Sequence, residues 1–229
     1  MPRVPFGKIQ LRADVNITAP LNLQYCPTNM SRTALHLNLF VISLLTGFFL
    51  NPQQIQAVRS PERVLPDFAS FSESVQTGEA GALSGVYVQD VLALPVVQQP
   101  AGQPYYVSSH DGEITQFSVP SRYGNIGLLA HNTLAGKFFS ELSVGQEVRL
   151  IYGNGKIELF VIQETLHVQA LQPDSVTSSF RSLDQDEVLT AGEMFNRAYA
   201  GERHLVFQTC IEANGNPSWG RLFVFATPK

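Results

Sequence analysis

Cys210 and Arg221 stand eleven positions apart near the end of a 229-residue chain. A cysteine is a strong nucleophile only as thiolate, and a fixed positive charge nearby favours that form. An arginine can also donate hydrogen bonds to the oxyanion that forms when a thiolate attacks a carbonyl. The surrounding stretch, HLVFQTCIEANGNPSWGRLFVFA over 204–226, reads as a strand ending in Cys210, a turn-rich loop, and a second strand opened by Arg221. Paired antiparallel with Cys210 opposite Arg221, it sets Thr209 against Leu222, Phe207 against Val224 and Leu205 against Ala226. Those pairs are mostly apolar and share one face, which predicts the core side. Cys210 and Arg221 then lie side by side on the other face, with Cβ atoms roughly 5 Å apart. The register that builds an apolar core therefore also joins thiol to guanidinium. The competing role for Arg221 is an exposed ion pair with Glu212 in the loop, worth only about 0–1 kcal/mol.

Acyl transfer to a thiolate also needs a proton carrier for the leaving group, and histidine commonly serves. The chain has five histidines. His36 lies in an apolar N-terminal run. His110 sits in the turn SSHDG, and His167 lies within a strand of alternating character. His204 shares the strand of Cys210 but is six residues away, about 20 Å along an extended chain, too far to reach the thiol. His131 ends the apolar stretch GNIGLLA and precedes a short helical segment. On residue type and position alone, it is either an acid/base group or a structural histidine.

The elements that must hold these residues are short. From Leu83 onward, apolar runs of strand length alternate with turn signals. Asn154-Gly155 between two β-rich runs is a strong hairpin signal. Such spacing predicts an all-β domain, a closed or nearly closed β-barrel, rather than βαβ units. Two helical pieces interrupt it. Residues 132–142 fit one short helix. Residues 190–201 are better marked, with Thr190 and Glu193 at capping-box spacing and Gly201 placed to end the helix.

The net charge of −4 leaves no basic footprint for nucleic acid. The two cysteines, Cys26 and Cys210, make neither a disulfide framework nor a zinc-ligand set. Residues 33–50, TALHLNLFVISLLTGFFL, are the only long apolar run, and they are marginal as a membrane span. With MSR at Met30 before it, and Ile55 and Ala57 after Pro52, the run fits an export signal. The expected organisation is an N-terminal extension over 1–29, with Met30 as an alternative start. A signal peptide or membrane anchor covers 30–57, a linker with little structure covers 58–82, and a catalytic barrel covers 83–229. Cleavage near Val58 would remove Cys26 and leave Cys210 as the one cysteine of the exported chain.

The order and context of these residues resemble those of sortases, the cysteine transpeptidases of bacterial cell surfaces. The histidine follows an apolar strand in GNIGLLAHNT, and LSVGQEVRLIY comes next. The cysteine ends a strand with threonine just before it in LVFQTC, and the arginine opens WGRLFVFA. The resemblance covers roughly residues 83–229. It implies an eight-stranded β-barrel, with Cys210 as nucleophile, His131 as general acid/base and Arg221 as oxyanion donor or substrate-positioning group. Thr209 would line the substrate pocket. The implied partners are a surface protein with a C-terminal sorting motif of the LPXTG kind, and an amine acceptor such as a cell-wall peptide or a pilin-like lysine. No cofactor is implied, and membrane anchorage through 33–50 would hold the enzyme outside the cytoplasm. The chain departs from the family in Ala130, where many relatives have glycine, and in the long segment 172–203. It lacks an acidic cluster for calcium, since Glu158 and Glu164 read as strand-surface charges. The alternatives are a secreted cysteine peptidase that uses water as acceptor, and a catalytically degenerate barrel that binds peptides.

Overall fold

The computed structural model describes residues 63–175 and 177–229. The expected extension 1–29 and export segment 30–57, with the run 33–50, lie outside the described residues, as does Cys26. Ten strands form one sheet. In chain order they are β1 (Leu83–Val88), β2 (Leu92–Gln98), β3 (Ile114–Phe117), β4 (Ile126–Leu129), β5 (Glu147–Tyr152), β6 (Ile157–Ala170), β7 (Phe180–Ser182), β8 (Val188–Leu189), β9 (Leu205–Ala213) and β10 (Asn216–Pro228). The spatial order is β10-β9-β4-β3-β2-β1-β5-β6-β7-β8, and β10 also pairs with β6. That second pairing closes eight strands into a barrel and leaves β7 and β8 as a flap running off β6. Closure removes the open edges that a sheet of this length would otherwise expose.

Alternation along the strands divides the apolar residues between the barrel interior and its outer faces. The interior holds Val86, Val88, Leu128, Val148, Leu150, Phe160, Ile162, Leu205, Phe207, Leu222 and Val224, all buried. The outer face of β4, β9 and β10 carries a second apolar layer under the helix α2 (Ala191–Tyr199). Buried residues of α2 fall at 191, 194, 195, 198 and 199, the spacing of one helix face. Burying each large apolar side chain there stabilises by about 1.5–3 kcal/mol. Thr190 and Glu193 form the expected capping box, and Gly201, with φ +96°, follows the helix end.

The Asn154-Gly155 turn forms as expected: Gly155 has φ +82°, and Ile151 pairs with Ile157 across β5 and β6. Residues 135–141 of the expected short helix wind as a 3-10 turn rather than an α-helix. The largest difference concerns the expected linker 58–82. Its described part carries a helix, α1 (Phe68–Ser74), which Asp67 caps by accepting from the Ser70 amide at 3.0 Å. Phe68, Phe71 and Val75 form one helical stripe that packs on Tyr87 and Ile151 outside β1 and β5. That is why β1 is buried along its whole length. Gly85 permits the close approach, since a Cβ there would meet Val75 at 2.7 Å.

Candidate active site

β9 and β10 turn through Asn214 and Gly215, both at positive φ (+53° and +76°), which suits a two-residue hairpin. β10 therefore starts before Arg221. Pro217 has no N–H for the ladder, and the pairing shifts between Asn216 and Gly220. From there the register is the one the apolar pattern requires. Arg221 pairs with Cys210, Leu222 with Thr209, Val224 with Phe207 and Ala226 with Leu205. Leu222, Phe207 and Val224 enter the barrel, while Phe223 and Val206 join the outer layer. Cys210 and Arg221 share the parity of that outer face.

His131 reaches the same face through a pairing that is remote in sequence. β4 runs parallel to β9, with Ile126 beside Leu205 and Leu129 beside Gln208. The chain stays with β9 one step past β4, where the Ala130 amide donates to the Gln208 carbonyl at 3.3 Å. Two residues beyond Leu129 is His131, and two beyond Gln208 is Cys210. Leu129 belongs to the outer layer, and His131 contacts the backbone of Val107, which packs on that layer too. The strand order β10-β9-β4 thus pairs Arg221 with Cys210 and puts His131 two residues past the end of the strand on the other side of β9. Neighbouring strands lie about 4.8 Å apart.

The electrostatics are those of a partly dry site. Burial holds the His131 imidazole below its usual pKa, opposed by the Val107 backbone contact, so the ring is neutral near pH 7. Arg221 is 1% exposed. Its Nη1 donates to the carbonyls of Ser218 at 3.0 Å and Gly220 at 2.8 Å, which locks the guanidinium against its own strand. Burial lowers its pKa to about 10, so it stays charged at neutral pH. Such an environment does not fit an exposed ion pair with Glu212, which lies on the solvent side of β9. Behind it, Tyr199 of α2 donates to the Gln208 side chain, and Tyr199 also interacts electrostatically with Arg221. Burial pushes the Tyr199 phenol far up, so it is a permanent donor.

Cys210 is disulfide-bonded in this structure, and no described cysteine is a free thiol. The expectation of a single cysteine concerned the chain cleaved near Val58, not this full-length chain. Thr209, expected beside the substrate, is turned towards the barrel interior. It is 5% exposed, and its Oγ1 donates to the Ala130 carbonyl at 2.8 Å.

The other histidines lie elsewhere. His110 pairs with Glu113 at 3.7 Å, His167 pairs with Asp184 at 3.4 Å, and His204 lies 2.8 Å from the Ala198 carbonyl at the end of α2. Glu158 and Glu164 sit in ion pairs with Arg203 and Arg197. Among the described residues there is no group of three or more His, Cys, Asp or Glu suited to a metal, and no helix long and apolar enough to cross a membrane. Sequence reasoning missed Asn125, Gly136, Tyr199 and Gln208. Asn125 donates to the Tyr199 carbonyl at 3.0 Å and accepts from the His204 amide at 2.9 Å, so it ties α2 to the starts of β4 and β9. No local signal marks such a residue, because both partners are 74 or more positions away.

No family model and no curated protein matches this chain. Solved structures similar to it are sortases. Sortase A of Listeria monocytogenes is 10% identical over 65% of this chain and 87% of its own, with a TM-score of 0.40. Sortase C-1 of Actinomyces oris is 11% identical over 74% and 84%, with a TM-score of 0.43. Sortase E1 of Streptomyces coelicolor, solved with a tripeptide in its active site, is 15% identical over 67% and 90%, with a TM-score of 0.42.

Proposed function

We propose that the chain is a sortase-type cysteine transpeptidase that works outside the cytoplasm. One observation supports this reading: Cys210 pairs with Arg221 across β9 and β10, and His131 follows the end of β4, the strand that runs parallel to β9. The attacking group is the Cys210 thiol of the reduced chain. Neutral His131 takes the thiol proton as sulfur bonds to the scissile carbonyl carbon. The carbonyl oxygen takes up the displaced electron pair and is stabilised by the Arg221 guanidinium. Collapse breaks the C–N bond. The amine leaves with that electron pair and receives the proton from His131. A thioester remains on Cys210. An incoming amine then attacks it, gives its proton to His131, and restores the cysteine.

The substrate is a surface protein with a C-terminal sorting motif, and the acceptor is an amine on a cell-wall peptide or a pilin-like lysine. Residues 30–57 export the barrel, or residues 33–50 retain it at the membrane. The test is to incubate the reduced full chain with a library of sorting-motif peptides and a short amine, and to follow intact mass. A thioester adduct on Cys210, resolved to an amide by the amine, is expected. Hydrolysed product alone would make the chain a peptidase. Absence of any adduct across the library would leave a peptide-binding barrel and overturn the proposal.

A further inference from the structure

The parallel pair β4–β9 is fastened at both ends by side chains rather than by ladder bonds alone. At its start, Asn125 bridges to the His204 amide at 2.9 Å. At its far end, the buried Thr209 hydroxyl donates across to the Ala130 carbonyl at 2.8 Å. The residue after Ala130 is His131, and the residue after Thr209 is Cys210. The link therefore joins the two positions immediately before the two reacting side chains. The chain beyond is fixed as well. The His131 carbonyl accepts from the Leu134 amide at 2.9 Å and the Gly136 amide at 3.0 Å. Gly136 lies against this link: a Cβ there would meet Thr209 Oγ1 at 2.3 Å and the carbonyls of Ala130 and His131 at 2.7 Å. Only a residue without a side chain lets the turn close over the hydroxyl.

We propose that Thr209 is a positioning residue. With Gly136 packed over it, it clasps the strand of His131 to the strand of Cys210 from inside the barrel and sets the step between imidazole and sulfur. It acts on the reaction through the backbone and does not contact substrate. This rests on the transpeptidase reading for its kinetic consequence, but the clasp itself has a readout that needs no turnover.

The test uses the reduced full chain carrying Thr209→Val, Thr209→Ala or Thr209→Ser. Valine and alanine remove the donor, and serine keeps it. Val and Ala should move the His131 ring proton resonances, while Ser leaves them near wild type. A displacement of about 1 Å at a reacting group can cost about 100-fold, so Val and Ala should lower kcat by about 10- to 100-fold at nearly constant KM. Ser should recover most of that loss. If Val does not fold, Ala supplies the same comparison. A raised KM with unchanged kcat, or a His131 ring signal indifferent to loss of the hydroxyl in a folded variant, overturns the clasp. If wild type shows no transfer at all, the transpeptidase reading fails, and the His131 resonances still decide the clasp.

Discussion

Two outer faces of the same barrel are covered in opposite ways. Over β1 and β5, α1 lays Phe68 and Phe71 against Tyr87 and Ile151, with the Phe68 and Tyr87 rings edge-on at 5.2 Å. Arg149 stacks over the Phe68 ring at 4.4 Å and pairs with Glu147 at 2.9 Å. Over β4, β9 and β10, the layer under α2 begins as a similar aromatic packing, with Phe117 and Tyr199 edge-on at 5.2 Å. It then gives way to Gln208, Cys210 and Arg221, all buried. Burying an arginine costs several kcal/mol of desolvation unless its surroundings compensate. An apolar residue would have covered that face at no such cost, as α1 does on the other side. A buried guanidinium beside a cysteine, held by the carbonyls of Ser218 and Gly220, is what a site that stabilises a developing anion requires.

Substitutions on the two faces should therefore separate activity from stability. The largest effect belongs to Cys210→Ala, which should abolish the acyl-enzyme while leaving the fold intact. Intact-mass analysis of the reduced protein with peptide checks this, and adduct formation by the variant would refute the assignment of the nucleophile. In wild type, omission of reductant should suppress the adduct as well, because the disulfide occupies the sulfur.

Arg221→Lys comes next. Lysine keeps a charge but loses the planar fork, so turnover should fall about 100- to 1000-fold, the usual loss for an oxyanion donor. Turnover within about threefold of wild type would make Arg221 structural. On the other face, Phe71→Ala should destabilise by about 3–5 kcal/mol. Well below its lowered melting temperature, it should turn over like wild type. A kinetic defect there would erase the contrast between the faces.

The smallest effect is in pH. The folded state lowers the His131 pKa below its ordinary value of about 6.5, so the unfolded chain binds more protons once pH drops under that value. The stabilising contribution of neutral His131 is present above about pH 6.5 and is lost as pH falls through the lower, folded pKa. Melting temperature measured against pH should decline below about 6.5 in wild type, and less steeply in His131→Gln. Equal slopes would show that His131 is not the group responsible.

Much of this architecture could be read locally. The alternation of LVFQTC and RLFVFA admits one register with an apolar interior, and it is the observed one, because a one-residue slip would turn every apolar side chain outward. The Asn154-Gly155 turn and the Thr190–Glu193 capping box are also local, since each is completed within four residues. The helix α1 was equally local in its signal, an Asp67 cap and a Phe68–Phe71–Val75 stripe, but Pro61, Pro66 and a polar composition hid it.

Other features belong to the tertiary structure alone. Nothing in GNIGLLAH specifies a parallel partner 79 positions later. That pairing follows from closing the barrel, which leaves β4 and β9 as neighbours and carries His131 to Cys210. Thr209 shows the same limit at a single residue. Its type and its place before the cysteine suit a pocket wall, while strand parity and the Ala130 carbonyl turn its hydroxyl inward. The burial of Arg221 is likewise set by α2 and the β9–β10 hairpin, which fold over it. Local sequence determines which face a side chain takes on its own strand, and only the packed chain determines what lies beside that face and how dry it is.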